Sequence, residues 1–307
     1  MSMARALSHI NGNSVFHVPC RPKPKRQCPL QLPRRVFKVT VSCNQSYWDS
    51  INSDIKAHLN RAIPIREPLT VFEPMNGLTF AAPRSIVPAL CVAACELLGG
   101  HRDDALPTAS ALWLMYSASF THEHLPLTQS CRPKSDVRHL YGPNIELLIG
   151  DAMIPFGLEL LAKSDDRTQN ISTRILRVMI EITRAIGSQG MIYKQYHDVE
   201  RHRSNNNKSY HVEKLEKYEG TLHACAAACG AILGGGSEEE IEKMRRYGLY
   251  VGKIQGMVSR AERNDKELNK SVEEMRRLAT KELSGFNEAK VQAISTYFES
   301  DFMYAQF

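Results

Sequence analysis

Residues 220–237 read Gly-Thr-Leu-His-Ala-Cys-Ala-Ala-Ala-Cys-Gly-Ala-Ile-Leu-Gly-Gly-Gly-Ser, eighteen positions without a formal charge. A run of that length has to be tested first as a membrane span. It fails, because His223 lies inside it and Gly234, Gly235 and Gly236 break it. The other charge-free run, Ala105 to His122, fails too: it carries Pro107, Thr108, three serines, Thr121 and His122. Helices apolar around most of their circumference, yet studded with small polar groups, form the centre of a large helical bundle. No membrane span is expected.

Outward from these runs the apolar period is 3.6 from Tyr47 onward, with no convincing alternating strand. The pattern predicts helices over 46–62, 84–99, 104–122, 143–163, 169–187, 213–234, 237–259, 265–284 and 287–304. Gly99 and Gly100 end one of them, and Pro107 is placed in the first turn of the next. Ser237 and Glu240 form a Ser-x-x-Glu capping box behind the glycine stop. The polar run from Asp198 to Lys208 reads as a loop, and nothing fixes its neighbours His197, His202 and His211 as metal ligands. The expected architecture is one all-α domain.

The chain has 307 residues and a formal charge of +6, which taken alone suggests an anionic partner. The charge is concentrated. Eight Lys and Arg fall before the first acid, Asp49, among Ser, Pro and three Cys. Taking those eight from +6 leaves −2 on the remaining 259 residues. The basic excess therefore belongs to a leader, read as an organelle transit peptide over residues 1–45, against the alternative of a basic binding tail. Nucleic acid is excluded as a partner of the domain at 46–307.

Beyond the leader five cysteines remain, Cys91, Cys95, Cys131, Cys225 and Cys229, an odd number that argues against a disulfide framework. Cys91 with Cys95 and Cys225 with Cys229 are spaced i, i+4, so each pair shares one helix face, separated by small residues. Such pairs are read first as small buried hydrophobes. His122-Glu123-His124 is not a zinc motif, since side chains two apart on a helix point to opposite sides.

Four segments, in order, carry a resemblance: Pro88-Ala-Leu-Cys-Val-Ala-Ala-Cys-Glu-Leu-Leu-Gly-Gly100, Ser119-Phe-Thr-His-Glu-His-Leu-Pro126, Leu148-Ile-Gly-Asp-Ala152 and Cys229-Gly-Ala-Ile-Leu-Gly-Gly-Gly236. Together the chain resembles trans-prenyl diphosphate synthases of the plant geranylgeranyl type, from Tyr47 to Phe298. The resemblance implies the isoprenoid synthase fold, a large helical bundle around a central cavity. Such enzymes join isopentenyl diphosphate to an allylic diphosphate, with magnesium held by two Asp-rich motifs to stabilise the departing pyrophosphate.

The resemblance breaks at those motifs. The first Asp-rich motif corresponds to Glu123, His124 and, further on, Gln129, which keep one carboxylate of three. The second corresponds to Ser259, Arg260 and Arg263, where two cations repel a divalent metal. The cations that grip isopentenyl diphosphate correspond to Pro83-Arg84-Ser85-Ile86-Val87, and the Lys-Thr pair to Gly220-Thr221; Gln195 and Asp198 do match, while Arg132 and Lys134 are remnants of a shortened segment.

Two Cys-x-x-x-Cys pairs in a synthase body without Asp motifs resemble the small subunit of plant heterodimeric geranyl diphosphate synthases, in which both pairs are implicated in binding the large subunit. The implied function is a noncatalytic, plastid-targeted regulatory subunit of a hetero-oligomer. It would bind a geranylgeranyl-type large subunit, which supplies magnesium, and direct it to geranyl diphosphate. No catalytic residue, metal ligand or cofactor is then assigned to this chain. The alternatives are an autonomous short-chain prenyltransferase with an atypical metal site using Glu123 and Asp198, a terpene cyclase, and a prenyl-diphosphate-binding protein gripping anions with Arg260 and Arg263.

Overall fold

The computed structural model describes residues 35–125, 139–164, 172–193, 195–196, 220–260 and 266–295. Among them ten α-helices and no strand occur. They are α1 (Arg35–Ala62), α2 (Leu69–Ala81), α3 (Val87–Leu97), α4 (Arg102–His124), α5 (Pro143–Lys163), α6 (Ser172–Ile186), α7 (Thr221–Leu233), α8 (Glu238–Arg260), α9 (Lys266–Glu282) and α10 (Glu288–Ser295).

The helices α9, α8, α7, α3, α4 and α5 lie side by side in that order. Helix α1 covers α3 and α4, α2 covers α4 and α5, α6 rests mainly on α7, and α10 leans on α3. At the middle are α3 and α7, the two helices whose residues are apolar on all sides. Every residue from Val87 to Cys95 is buried, and so is every residue from Cys225 to Leu233. A helix with no polar face has to be enclosed by others.

Small residues let these two helices meet backbone to backbone. A Cβ on Gly230 would lie 2.1 Å from the carbonyl oxygen of Cys91, and one on Gly234 would lie 2.8 Å from that of Cys95. Ala93, Ala94, Ala226, Ala227 and Ala228 fill the rest of the central layer without pushing the axes apart. A second, smaller apolar cluster joins Leu59 and Ile63 of α1 and its exit to Met75, Leu114, Ile149 and Met153. Polar bonds tie the rim: Glu96, the one residue of α3 from Val87 to Leu97 that is not fully buried, accepts from Tyr47 Oη at 2.6 Å and from Arg102 Nε at 2.7 Å. Arg102 also bonds Asp54, at 2.7 Å.

The expected helix boundaries hold best where caps were legible. Helix α5 spans the residues expected, 143–163. The capping box forms as read, with the amide of Ser237 donating to Glu240 Oε2 at 2.8 Å and the amide of Glu240 donating to Ser237 Oγ at 3.3 Å. Three features differ. Helix α1 begins at Arg35, earlier than the expected start at residue 46. Helix α2 was not expected; Pro68 at its N-cap is tolerated there, but Pro74 in its interior hides the period. Helix α4 starts at Arg102, which places Pro107 inside the helix and not in its first turn. Asp103 and Asp104 favour that earlier start, because carboxylates suit the positive end of a helix. The remainders of the expected helices at 213–234 and 287–304, and the loop with His197, His202 and His211, lie outside the described residues.

The Gly230 contact gives a direct test. Gly230→Ala forces a methyl into the Cys91 carbonyl, and overpacking of this kind costs about 2–3 kcal/mol. The urea midpoint of the variant is expected to fall with the slope unchanged; an unaltered midpoint would show that α3 and α7 can separate freely.

Candidate functional site

The end of α4 carries what corresponds to the first Asp-rich motif. His122 turns toward α5, its Nε2 3.4 Å from both the Leu147 carbonyl oxygen and Asp151 Oδ1. It lies directly over Gly150, where a Cβ would come within 2.4 Å of the ring. His124 turns back along its own helix, with Nδ1 2.7 Å from the Phe120 carbonyl oxygen and its ring 4.1 Å from the Phe120 ring. The two imidazoles thus diverge, as the spacing predicts. Glu123 is exposed. Burial, aided by the Glu123 carboxylate, pushes the Tyr116 phenol up to about 12.

Magnesium takes oxygen ligands in an octahedral shell and is held through carboxylates. Here Asp151 faces a histidine, His124 faces a carbonyl, and Glu123 brings one carboxylate. Among the described residues no group of three or more His, Cys, Asp or Glu is placed to hold a metal ion. These residues do not fit a magnesium cluster. Gln129 and Arg263 lie outside the described residues, as do Asp198, Arg132 and Lys134; Ser259 and Arg260 are described only as backbone of the last turn of α8.

Most of the positions expected to grip the second diphosphate have other roles, Arg84 excepted. Arg84 is exposed, Ser85 Oγ accepts the Val87 amide at 3.2 Å at the start of α3, and Val87 is buried in the core. Gly220, expected at the lysine position of the family's Lys-Thr pair, has φ +80, and a Cβ there would lie 2.6 Å from the Leu249 carbonyl oxygen. A side chain is therefore excluded by both conformation and space. Gln195 donates from Nε2 to Ser119 Oγ at 3.0 Å, bonding to α4.

The four cysteines of the two pairs are all buried free thiols. They converge on the α3–α7 contact. Cys225 and Cys229 Sγ are 3.8 Å apart, Cys229 Sγ reaches toward the Val178 carbonyl of α6 at 4.0 Å, and Cys95 Sγ lies 3.6 Å from the His101 carbonyl oxygen. Burial, reinforced by Cys95 and Cys225, pushes the Cys91 thiol well above its ordinary range. The bond with Cys225, followed by burial, does the same for Cys229. Cys95 is pushed up to about 12 by burial and by Asp104 and Glu96. All three are protonated at neutral pH and unfit as nucleophiles.

One surface was not anticipated. Exposed apolar side chains gather on α5 and α6, which touch each other. Ile145 and Leu148 lie on α5, Leu176 and Ile180 on α6, and Ile192 and Tyr196 follow it. Leu148 and Leu176 keep 62% and 60% of their surface exposed. On α6 the buried set Ile175, Val178, Ile182 and Ala185 already completes a core-facing stripe, so Leu176 and Ile180 form a second one. A second apolar stripe on such a helix is the signal by which the sequence alone could have disclosed this face. Several large apolar side chains left exposed on two touching helices mark a candidate interaction site.

No family model matches the chain. Small subunit 2 of the chloroplastic heterodimeric geranylgeranyl pyrophosphate synthase of Cannabis sativa is 50% identical over 259 residues, 82% of this chain and 90% of that protein. The crystal structure of the geranyl diphosphate synthase small subunit from Antirrhinum majus superposes with a TM-score of 0.76 at 52% identity, covering 84% of this chain and 99% of that one. A chain of the heterotetrameric geranyl pyrophosphate synthase of mint, a deletion mutant in complex with ligands, superposes with a TM-score of 0.72 at 44% identity, over 82% and 98%.

Thiol accessibility checks the placement of the cysteine pairs. At pH 8 iodoacetamide is expected to leave Cys91, Cys95, Cys225 and Cys229 unmodified until denaturant is added, as mapped by peptide mass spectrometry. Because Cys95 titrates higher in the folded state than its ordinary value of 9.0, its contribution to stability is complete below pH 9 and is lost as pH rises toward about 12. A urea midpoint that climbs over that interval would contradict the burial.

Proposed function

Because the chain belongs to the small-subunit family of plant heterodimeric geranylgeranyl and geranyl diphosphate synthases, we propose that it is a noncatalytic regulatory subunit that docks on a geranylgeranyl-type large subunit in the plastid. The observation that carries this reading is the exposed apolar stripe on α5 and α6, in a chain whose diphosphate-gripping positions are occupied by Val87, by a helix-capping Ser85 and by Gly220. The large subunit supplies the Asp motifs, the magnesium and both diphosphate sites. This chain supplies binding energy.

Docking changes the product through a difference in affinity for two states of the partner. Moving the partner from one part in ten to nine parts in ten of a short-product state requires about 2.6 kcal/mol of differential binding. A few buried apolar side chains provide that, since truncating one central interface residue commonly costs about 2 kcal/mol or more. The product favoured is the ten-carbon geranyl diphosphate, a reading that rests on the 52% identity to the Antirrhinum majus subunit.

The two cysteine pairs support assembly from inside the subunit. Their thiols are enclosed by α3, α6 and α7, so their contribution runs through helix packing and not through a thiol presented to the partner. Replacement of Cys229 by Ala is then tolerated better than replacement by Asp, whatever the redox state of the buffer.

Two measurements test the proposal. The mature chain, given magnesium, isopentenyl diphosphate and dimethylallyl diphosphate, is expected to be silent alone and to raise the ten-carbon share when mixed with a geranylgeranyl-type large subunit. Product from the chain alone would overturn the noncatalytic reading, and a mixture enriched only in twenty-carbon product would overturn the product assignment. Leu148→Asp combined with Leu176→Asp is expected to weaken assembly at least thirtyfold by calorimetric titration, about 2 kcal/mol, while the circular dichroism of the isolated chain is unchanged. Unaltered affinity would remove the α5–α6 face from the proposal.

A further inference from the structure

The apolar stripe is divided between two helices, and they are held very differently. Helix α5 packs extensively on α4, while α6 touches α5 only slightly and rests mainly on α7. The position of Leu176 and Ile180 relative to Ile145 and Leu148 is therefore set from behind α6.

Three bonds from α6 reach α7 and α8, spaced along its length. Arg174 Nη1 donates to the Leu233 carbonyl oxygen at 3.1 Å, one of the carbonyls left without an intrahelical partner at the end of α7. Its guanidinium lies over Gly235, where a Cβ would come within 2.9 Å of Nη2. Arg177 forks onto Glu238, at 2.5 and 2.6 Å. Arg245 of α8 forks onto Glu181 of α6, at 2.8 and 3.0 Å. These five positions of α6 and α8 and the end of α7 make a row of contacts on one side of α6, with the second apolar stripe elsewhere on its circumference.

Their exposure says what the bonds do. Glu238 keeps 78% of its side-chain surface in solvent, so the Arg177 pair contributes little to stability. Paired forks nevertheless fix geometry, because both nitrogens must meet both oxygens in one plane. The buried stripe of Ile175, Val178, Ile182 and Ala185 seats α6 on α7, and the three directional links fix how the helix is rotated and where it lies along that seat.

We infer that Arg174, Arg177 and the Glu181–Arg245 pair are positioning residues for the large-subunit docking face, holding the α6 half of the stripe in register with the α5 half. This rests on the docking reading given above. The partner's affinity is thereby set by residues that the partner does not touch.

The test is a set of double-mutant cycles in the mature chain, with dissociation constants for the large subunit from calorimetric titration and unfolding midpoints of each free variant. Leu176→Ala, Leu148→Ala, Arg174→Ala and Glu238→Gln are combined pairwise. Arg174→Ala is expected to weaken assembly about tenfold and shift the midpoint by no more than a few degrees, with Arg174→Lys recovering part of the loss. Its effect is expected to be non-additive with Leu176→Ala on α6 and additive with Leu148→Ala on α5. If Leu176→Ala alone leaves affinity unchanged, the docking face itself is wrong and the inference falls with it. If Leu176→Ala weakens assembly but Arg174→Ala and Glu238→Gln are silent, or additive with both leucines, the docking face stands and the positioning role is refuted. Should Arg174→Ala unfold the chain, Glu238→Gln, at an exposed carboxylate, decides the matter by the same criteria.

Discussion

The backbone contact between α3 and α7 governs the rest of the molecule. With the Cys91 carbonyl oxygen within 2.1 Å of where a Gly230 Cβ would stand, no larger residue fits at that crossing. The sulfurs and the alanine methyls close the remaining space at a volume that keeps the axes near one another. Everything else is arranged around that pair: α4 on α3, α8 and α6 on α7, and through α4 the whole of α5. Cysteine suits the position because it fills volume as a small apolar group, and enclosure keeps its proton in place.

The same enclosure decides what the residues near the start of α3 and the end of α4 do. A cation that grips phosphate has to reach solvent on the ligand side, and a buried Val87 in its place adds to the core instead. His122 spends its ring on Asp151 and the Leu147 carbonyl, which fastens the end of α4 to the first turns of α5. His122 thereby holds in place one of the helices that carries the exposed stripe.

Much of this was legible in the sequence, and the reasons for the gaps are physical. The Ser237–Glu240 box is a local signal, and the helix it opens was placed correctly. Helix α2 was hidden because Pro74 interrupts the period that packing on α4 and α5 restores. The spacing of Cys91 with Cys95, and of Cys225 with Cys229, told which side chains share a face. It could not tell that the two faces look at each other, since periodicity records direction and not what lies in that direction. The stripe of Leu176 and Ile180 was overlooked for the converse reason: apolar residues in a helix are taken for core until the core is seen to be complete without them.

Gly220 limits what the turn before α7 can carry. Its backbone sits at φ +80 with the Leu249 carbonyl and Gly252 pressed against it, so any substitution there meets obstruction before it can contribute a charge. Placing a lysine there would require α8 to be rebuilt at the same time. No single substitution can therefore place a charged side chain at this turn; the space for one has to be opened in α8 first.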